Sequence, residues 1–558
     1  MRNNTTGVAV TVVLLSALTG GLLGSRVLAT TGSGDREAER SRSYAAALAV
    51  VESQYVEPLD TTPLIYGSIE GMLRTLDPHS TFFDPRSYAQ MRERQEGHYY
   101  GIGISIGSVD GDITVTQLFE GSPAYRAGIR RGDIIAFVPC VAGDGSAMTA
   151  AGAKQSTTCK DNKDNTKGWS TDQVVKRIKG PKGTTVNISI RRGGLDQLID
   201  LTIERDEINI TSLRTAFMIA PGTGYVRLQE FSETTDAELS AALKKLKAAG
   251  MQRLLLDIRD NGGGPLNQAI AVANHFLHKG QMIVYTKGRV ENSDENYRAV
   301  VEGDYTDLPL IVLVSRQSAS ASEIVTGSMQ DHDRGLVVGE TTFGKALVQS
   351  VYSIEGAGLA LTTAHYYTPS GRLIQRPWDG AFDEYLTYAL RDQSANRTHS
   401  AAELKYTDGG RKVYGGGGIE PDHFIGGAIE GFNVTPFTRS LFVRGAFVSF
   451  AEKFTKEGDT RPAAKSAATH KVTPGWELTD AMLNEFRDFL VSEKVKVDDA
   501  ALAADRTFIK AEIHYEVDND LFGVEEARRT IVKTDPQAQG ALQYFDEARK
   551  LLELNAKK

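Results

Sequence analysis

Three serines alternate with small residues in Gln317-Ser318-Ala319-Ser320-Ala321-Ser322-Glu323, directly after the apolar run IVLVS of residues 311–315. The pattern predicts a strand running into a helix. A serine at such a turn stands beside the unpaired N–H groups of the helix start, where a developing oxyanion is stabilised. The run also suits a simple cap, since Ser or Ala followed by Glu is what a capping box wants. Composition does not choose among Ser318, Ser320 and Ser322. A serine nucleophile needs a base, and Lys345 in TTFGKALVQ (residues 341–349) is a charge set among apolar strand residues. Period-two spacing puts Gln349 on the same strand face. Burial disfavours a charged lysine, so an enclosed Lys345 would be a neutral amine able to take the serine proton, with Gln349 holding it without adding charge. The plain alternative is a surface lysine with its stem on apolar residues and its head in water. The ten histidines form no HExxH and no tight His/Cys/Asp set, and His332 and His365 read as structural. The glycine run GIGISIG (residues 101–107) lacks the lysine of a phosphate loop. Neither a metal nor a cofactor is expected.

These residues need elements to hold them, and 558 residues at roughly 100–200 per domain allow three or four domains. A net charge of −8 gives no overall attraction to nucleic acid. Residues 1–29 carry an uncharged stretch, Asn3 to Ser25, between Arg2 and Arg26, which reads as a signal peptide cleaved after Ala29 or as one membrane anchor. Either puts the remainder outside the cytoplasm, where Cys140 and Cys159 can oxidise together. Residues 30–42 read as a linker and 43–99 as a small helical unit. The period changes at Gly101: residues 100–193 form a β-rich unit with an insert at 140–168. Residues 194–429 alternate apolar strands with amphipathic helices, interrupted by a polar insert at 377–412, which predicts a sheet covered by helices. Residues 430–558 are mainly helical. The class is multidomain α+β.

Seven separated motifs in order carry a family resemblance: LDPHSTFF (76–83), the segment from Tyr100, LLLDIRDNGGG (254–264), SASASEI (318–324), GLVVGETTFGKALVQS (335–350), YTPSGRLIQ (367–375) and GGGIEPD (416–422). Together they resemble the carboxyl-terminal processing peptidases, or tail-specific proteases, serine peptidases with a Ser/Lys dyad. The resemblance implies Ser320 as nucleophile, Lys345 as base and Gln349 as its support. It places the oxyanion donors at Ala321 N–H and at Gly263 or Gly264. The proline usual before that glycine pair is absent, and the extra glycine of Asn261-Gly262-Gly263-Gly264-Pro265 is expected to loosen the loop until substrate binds. The resemblance also implies a PDZ-like domain whose loop Tyr100-Gly101-Ile102-Gly103-Ile104 receives a peptide C-terminus, and a core like that of ClpP and crotonase enzymes. The partners implied are proteins or peptides with accessible C-termini, with room for a homodimer and an accessory lipoprotein, in a bacterial cell envelope or periplasm. A non-catalytic PDZ adaptor and an enzyme for thioesters or other acyl substrates are the competing classes.

Overall fold

The computed structural model describes residues 34–109, 111–140, 147–148, 154–155, 163–193, 195–291, 293–378, 385, 387–388, 399–426, 434–455 and 472–555. The expected signal or anchor lies outside them, as does Cys159 of the expected cysteine pair. Among the described residues no helix is long and apolar enough to cross a membrane. The chain divides into two compact units, Met1–Phe82 and Phe83–Lys558.

The first unit carries helices α1 (Gly34–Gln54) and α2 (Thr61–Leu73), the second capped by Asp60, whose carboxylate accepts Thr62 N–H at 2.9 Å. The LDPHS motif is a turn built by one side chain: Asp77 accepts N–H from His79 (2.8 Å) and Ser80 (2.7 Å) and the Ser80 hydroxyl (2.7 Å).

The second unit opens with α3 (Pro85–Glu96) and β1 (His98–Gly101). The β-rich part follows: β2 (Ile104–Val109), β3 (Asp112–Leu118), α4 (Pro123–Arg126), β4 (Ile134–Pro139), β5 (Lys163–Asn165), α5 (Thr171–Ile178), β6 (Thr185–Arg191) and β7 (Ile199–Glu204). Its sheet runs in the order β7-β6-β4-β3-β2, with β5 added to β4. Alternate residues point inward as period two requires, so Ile113, Val115, Val186, Ile188 and Ile190 meet Val174 and Ile178 of α5 in one buried cluster. Strand β8 (Asp206–Asn209) pairs with β1 and leads into the next part.

There β9 (Leu213–Ala220), β10 (Thr223–Leu228), α6 (Thr235–Ala248), β11 (Arg253–Asp257), α7 (Leu266–Asn274), β12 (Met282–Gly288), β13 (Leu310–Val314), α8 (Ala321–Asp331), β14 (Leu336–Gly339), the hairpin β15 (Leu347–Ile354) and β16 (Ala357–Tyr367), and β17 (His423–Phe424) succeed one another. The main sheet has the order β9-β10-β11-β13-β14-β17, antiparallel only between β9 and β10. Such strands must be apolar on both faces, and β13 is buried at every position. Leu254, Leu256 and Val312 face a cluster shared with α6, α7 and α8. Leu255, Ile311 and Leu313 face the other way, onto Ala538, Ala541, Phe545, Ala548 and Leu551 near the chain's end. The mixed α/β multidomain class is therefore observed, and the last helices complete the sheet's second layer.

Between these parts α9 (Ala446–Thr455), α10 (Asp480–Ser492) and α11 (Arg506–Phe522) enclose their own aromatic core of Phe447, Phe450, Phe486 and Phe489, while α12 (Phe545–Asn555) belongs to the sheet's cover. Arg131 of the β-rich part pairs with the buried Glu516 of α11. Glu512, one turn earlier, is also buried; burial and the Glu516 charge push its pKa up to about 7 against the pull of Arg131. A carboxyl whose folded pKa exceeds the unfolded value near 4.3 favours the folded state while protonated, and that contribution fades as pH rises toward 7. Glu512→Gln is thus expected to raise the melting temperature by about 2 °C at pH 8 and to leave it almost unchanged at pH 5. Equal shifts at both pH values would show that ionisation is not the cause.

Candidate active site

Strand β13 ends at Val314 and α8 begins at Ala321, so the six residues between them form the turn that carries Ser318 and Ser320, and Ser322 lies in the first turn of α8. Two of the three candidate hydroxyls are committed to the segment after β11. Ser318 Oγ donates to Ile258 O (2.8 Å) and accepts Ser315 N–H (3.0 Å), and Ser322 Oγ donates to Asn261 O (2.9 Å); both residues are fully buried. Ser320 alone is half-buried. It has φ 57° and ψ −115°, a conformation that costs a non-glycine residue about 1–3 kcal/mol and persists only where neighbours enforce it. Its carbonyl, not its hydroxyl, closes the first helical turn, accepting N–H from Glu323 (2.8 Å) and Ile324 (3.0 Å).

Lys345 lies two residues before the start of β15, and its Nζ donates to Gln349 Oε1 at 2.9 Å, with both side chains half-buried. The two side chains meet, but Lys345 lies outside the strand and β15 shifts register against β16 between Val348 and Gln349, so strand parity is not what pairs them. What brings the serine and lysine segments together is Glu323, fully buried at the start of α8. Its Oε2 accepts N–H from Ser320 (2.9 Å) and Lys345 (2.9 Å), and its Oε1 accepts Gly344 N–H (2.7 Å) and the Thr342 hydroxyl (2.5 Å). Burial raises its pKa above the usual carboxylate range, and the Thr342 hydroxyl and these backbone donors oppose the rise. The sequence reading treated Glu323 as a cap; half of a capping box is present, in the bond back to Ser320 N–H, and the other three bonds go to a segment about twenty residues away. A second bridge escaped the sequence reading. The buried Tyr366 hydroxyl donates to Lys345 O (2.7 Å), with Ser320 O also in reach at 3.2 Å.

The glycine loop lies against the serine turn. A Cβ on Gly263 would fall 2.8 Å from Ser320 Cβ and 2.9 Å from Ala321 N, and one on Gly264 would fall 2.1 Å from Phe231 O; with φ of 98° and 154° these positions require glycine. Gly263 N–H is already given to Asn261 Oδ1 at 2.9 Å. Gly264 N–H and Ala321 N–H donate to no described residue. The loop expected to be loosened by its extra glycine is braced at Asn261, whose O accepts Ala319 N–H (3.0 Å) and Ser322 Oγ and whose Nδ2 donates to Leu228 O (3.0 Å).

The five residues expected to receive a peptide tail are placed differently from one another. Tyr100 and Gly101 belong to β1 and pair with Glu207 and Asp206. Ile102 is buried in the core of the β-rich part, and Gly103, at φ 82°, would meet Ser122 Cβ at 2.2 Å with any side chain. Ile104 opens β2, an edge strand of the sheet, which lies beside α5. Among the described residues no group of three His, Cys, Asp or Glu is placed to hold a metal ion.

Comparison with known proteins gives consistent matches. A model described as peptidase family S41 matches residues 222–380, and one described as the activating protease CtpB N-terminal domain matches residues 25–87. The chain is 38% identical to a carboxy-terminal-processing protease of Bartonella bacilliformis over 331 residues, 58% of this chain and 70% of that protein. It is 31% identical to the carboxy-terminal processing protease CtpA of Bacillus subtilis over 371 residues, 66% of this chain and 74% of that protein. A solved photosystem II D1 C-terminal processing protease aligns at 30% identity with a TM-score of 0.32, covering 58% of this chain and 82% of that one.

Proposed function

This chain belongs to the S41 family of serine peptidases, among the carboxy-terminal processing proteases, and on that premise we propose that it cuts peptide bonds with Ser320 and Lys345 and selects substrates by their C-terminal tails. The observation that carries the catalytic half is the shared carboxylate of Glu323, which accepts the main-chain N–H of both Ser320 and Lys345 and so binds the nucleophile's turn to the base's turn. Neutral Lys345 takes the Ser320 Oγ proton as the oxygen attacks the peptide carbonyl. The resulting oxyanion sits against the N–H groups of Ala321 and Gly264, which donate to no described residue, with Gly263 keeping the approach open. The C–N bond breaks as protonated Lys345 returns its proton to the leaving amine. Water then attacks the acyl ester, losing a proton to Lys345, and Ser320 leaves reprotonated. Gln349 holds the amine by a neutral acceptor, which avoids locking it as an ammonium.

The tail-binding half rests on the β-rich part, read as a PDZ-like domain. Strand β2 is at the sheet edge beside α5, which suits addition of an extended peptide. Just before it, the N–H groups of Ile102 and Gly103 donate to no described residue, an arrangement suited to a terminal carboxylate. Ile102 is core, so side-chain selectivity falls to Ile104 and the face of α5. A peptide with a free apolar C-terminus should compete for cleavage at least about tenfold better than its C-terminal amide. Equal competition by the two would remove tail recognition while leaving the hydrolysis untouched. The uncharged stretch Asn3–Ser25 supports an envelope location for this activity.

A further inference from the structure

We infer that Arg259, Asp535 and Gln537 form a positioning clamp by which the C-terminal segment sets the geometry of the nucleophile and its glycine loop. The inference rests on the Ser320/Lys345 reading.

Arg259 follows β11 and is buried to 6% exposure, an unusual place for a guanidinium unless its donors are all used. Its Nε and one terminal nitrogen straddle Asp257 at 3.0 Å and 2.7 Å. Its remaining donors leave the sheet for residues more than 270 positions away, Gln537 Oε1 at 2.8 Å and Asp535 Oδ2 at 2.5 Å. Asp535 is itself immobilised. Its other oxygen caps the helix beginning at Pro536 by accepting N–H from Gln537 (2.9 Å) and Ala538 (3.1 Å). Gln537 donates onward to Ile425 O at 2.9 Å, which ties the clamp to the end of β17. Burial opposes ionisation of Asp257, but Arg259 and Arg227 outweigh it and hold the pKa at about 2, so the guanidinium stays paired across the working pH range.

Every residue next to Arg259 touches the serine turn. Ile258 O receives Ser318 Oγ; Asp260 N–H goes to Ser315 Oγ at 2.9 Å, and that hydroxyl returns a bond to Asp260 Oδ1 at 3.0 Å; Asn261 O receives Ala319 N–H and Ser322 Oγ. Asp260 is held at φ 59°, so the backbone is strained at the joint between the clamp and the loop. Fixing Arg259 from behind therefore fixes the Ser320 turn and the glycine loop that carries the Gly264 N–H together. This is the support that a loop of three consecutive glycines lacks by itself. None of the three clamp residues meets the reacting atoms; each acts through the loop.

The test compares full-length wild type with Asp535→Ser, Asp535→Asn and Gln537→Ala, using an internally quenched peptide with a free apolar C-terminus. Serine retains the helix cap but cannot reach Arg259 with a carboxylate. Asp535→Ser should lower kcat by about tenfold to a hundredfold with KM within twofold of wild type, because misplacement of reacting groups acts on the chemical step. Asp535→Asn, which keeps an acceptor, should recover part of that loss, and Gln537→Ala should cost about threefold. Melting curves recorded in parallel separate positioning from stability. A kcat loss that vanishes at a temperature where all variants are fully folded, or wild-type kcat in Asp535→Ser, would overturn the clamp. Ser320→Ala is the control for the underlying reading: if it remains active, the reading itself fails, whereas an inactive Ser320→Ala beside a fully active Asp535→Ser fails the clamp alone.

Discussion

Ser320→Ala should lower kcat by about ten-thousandfold or more, with the melting temperature within a degree or two of wild type. The side chain removed is half-buried and its carbonyl, not its hydroxyl, closes the helix turn, so the fold loses little. Lys345→Ala should cost about as much, and the double variant no more than the worse single one, because two groups that act as one proton-transfer unit are not additive. Turnover of the wild type should fall as pH drops, since a charged lysine accepts no proton. The comparison to make is kcat/KM against pH for wild type and Gln349→Ala. Additive losses in the double variant, or substantial turnover by Ser320→Ala, would remove these residues from the chemistry.

Glu323 variants should show the next largest effect, on activity and stability at once. Glu323→Ala leaves three main-chain N–H groups and the Thr342 hydroxyl facing an empty, fully buried space. Each buried donor without a partner costs about 1–3 kcal/mol, so an expected destabilisation of about 3–5 kcal/mol agrees with removal of one member of a buried charged network. Glu323→Gln conserves volume but fails for a different reason. One end of the amide is a donor, and on the Oε2 side it would face the N–H groups of both Ser320 and Lys345. Glutamine is therefore expected to fold better than alanine yet still lose about a hundredfold in kcat. Chemical denaturation with parallel single-turnover kinetics resolves the two quantities; a Glu323→Gln enzyme with wild-type kcat would mean that the serine and lysine turns hold their positions without the bridge.

Sequence reading went far where local rules apply. The continuous apolar run IVLVS and the small-residue segment after it were enough to place a strand and a helix start, and both exist in the fold. Local rules could not choose among Ser318, Ser320 and Ser322, because the choice depends on where two hydroxyls find acceptors, at Ile258 and Asn261. Nor could they reveal that Glu323 serves two segments or that Tyr366 bridges the same pair from the other side.

The motifs in their order pointed to the class of chemistry through a family resemblance, and apolar runs and capping placed the elements that carry it, because those signals are written within a few residues. Only the tertiary structure decided which atoms meet: Arg259 with Asp535, the last helices with the second face of the sheet, and one buried carboxylate with two turns. Buried polar groups must find partners wherever the folded chain brings them, and partners more than 270 positions apart leave no periodic trace in a sequence.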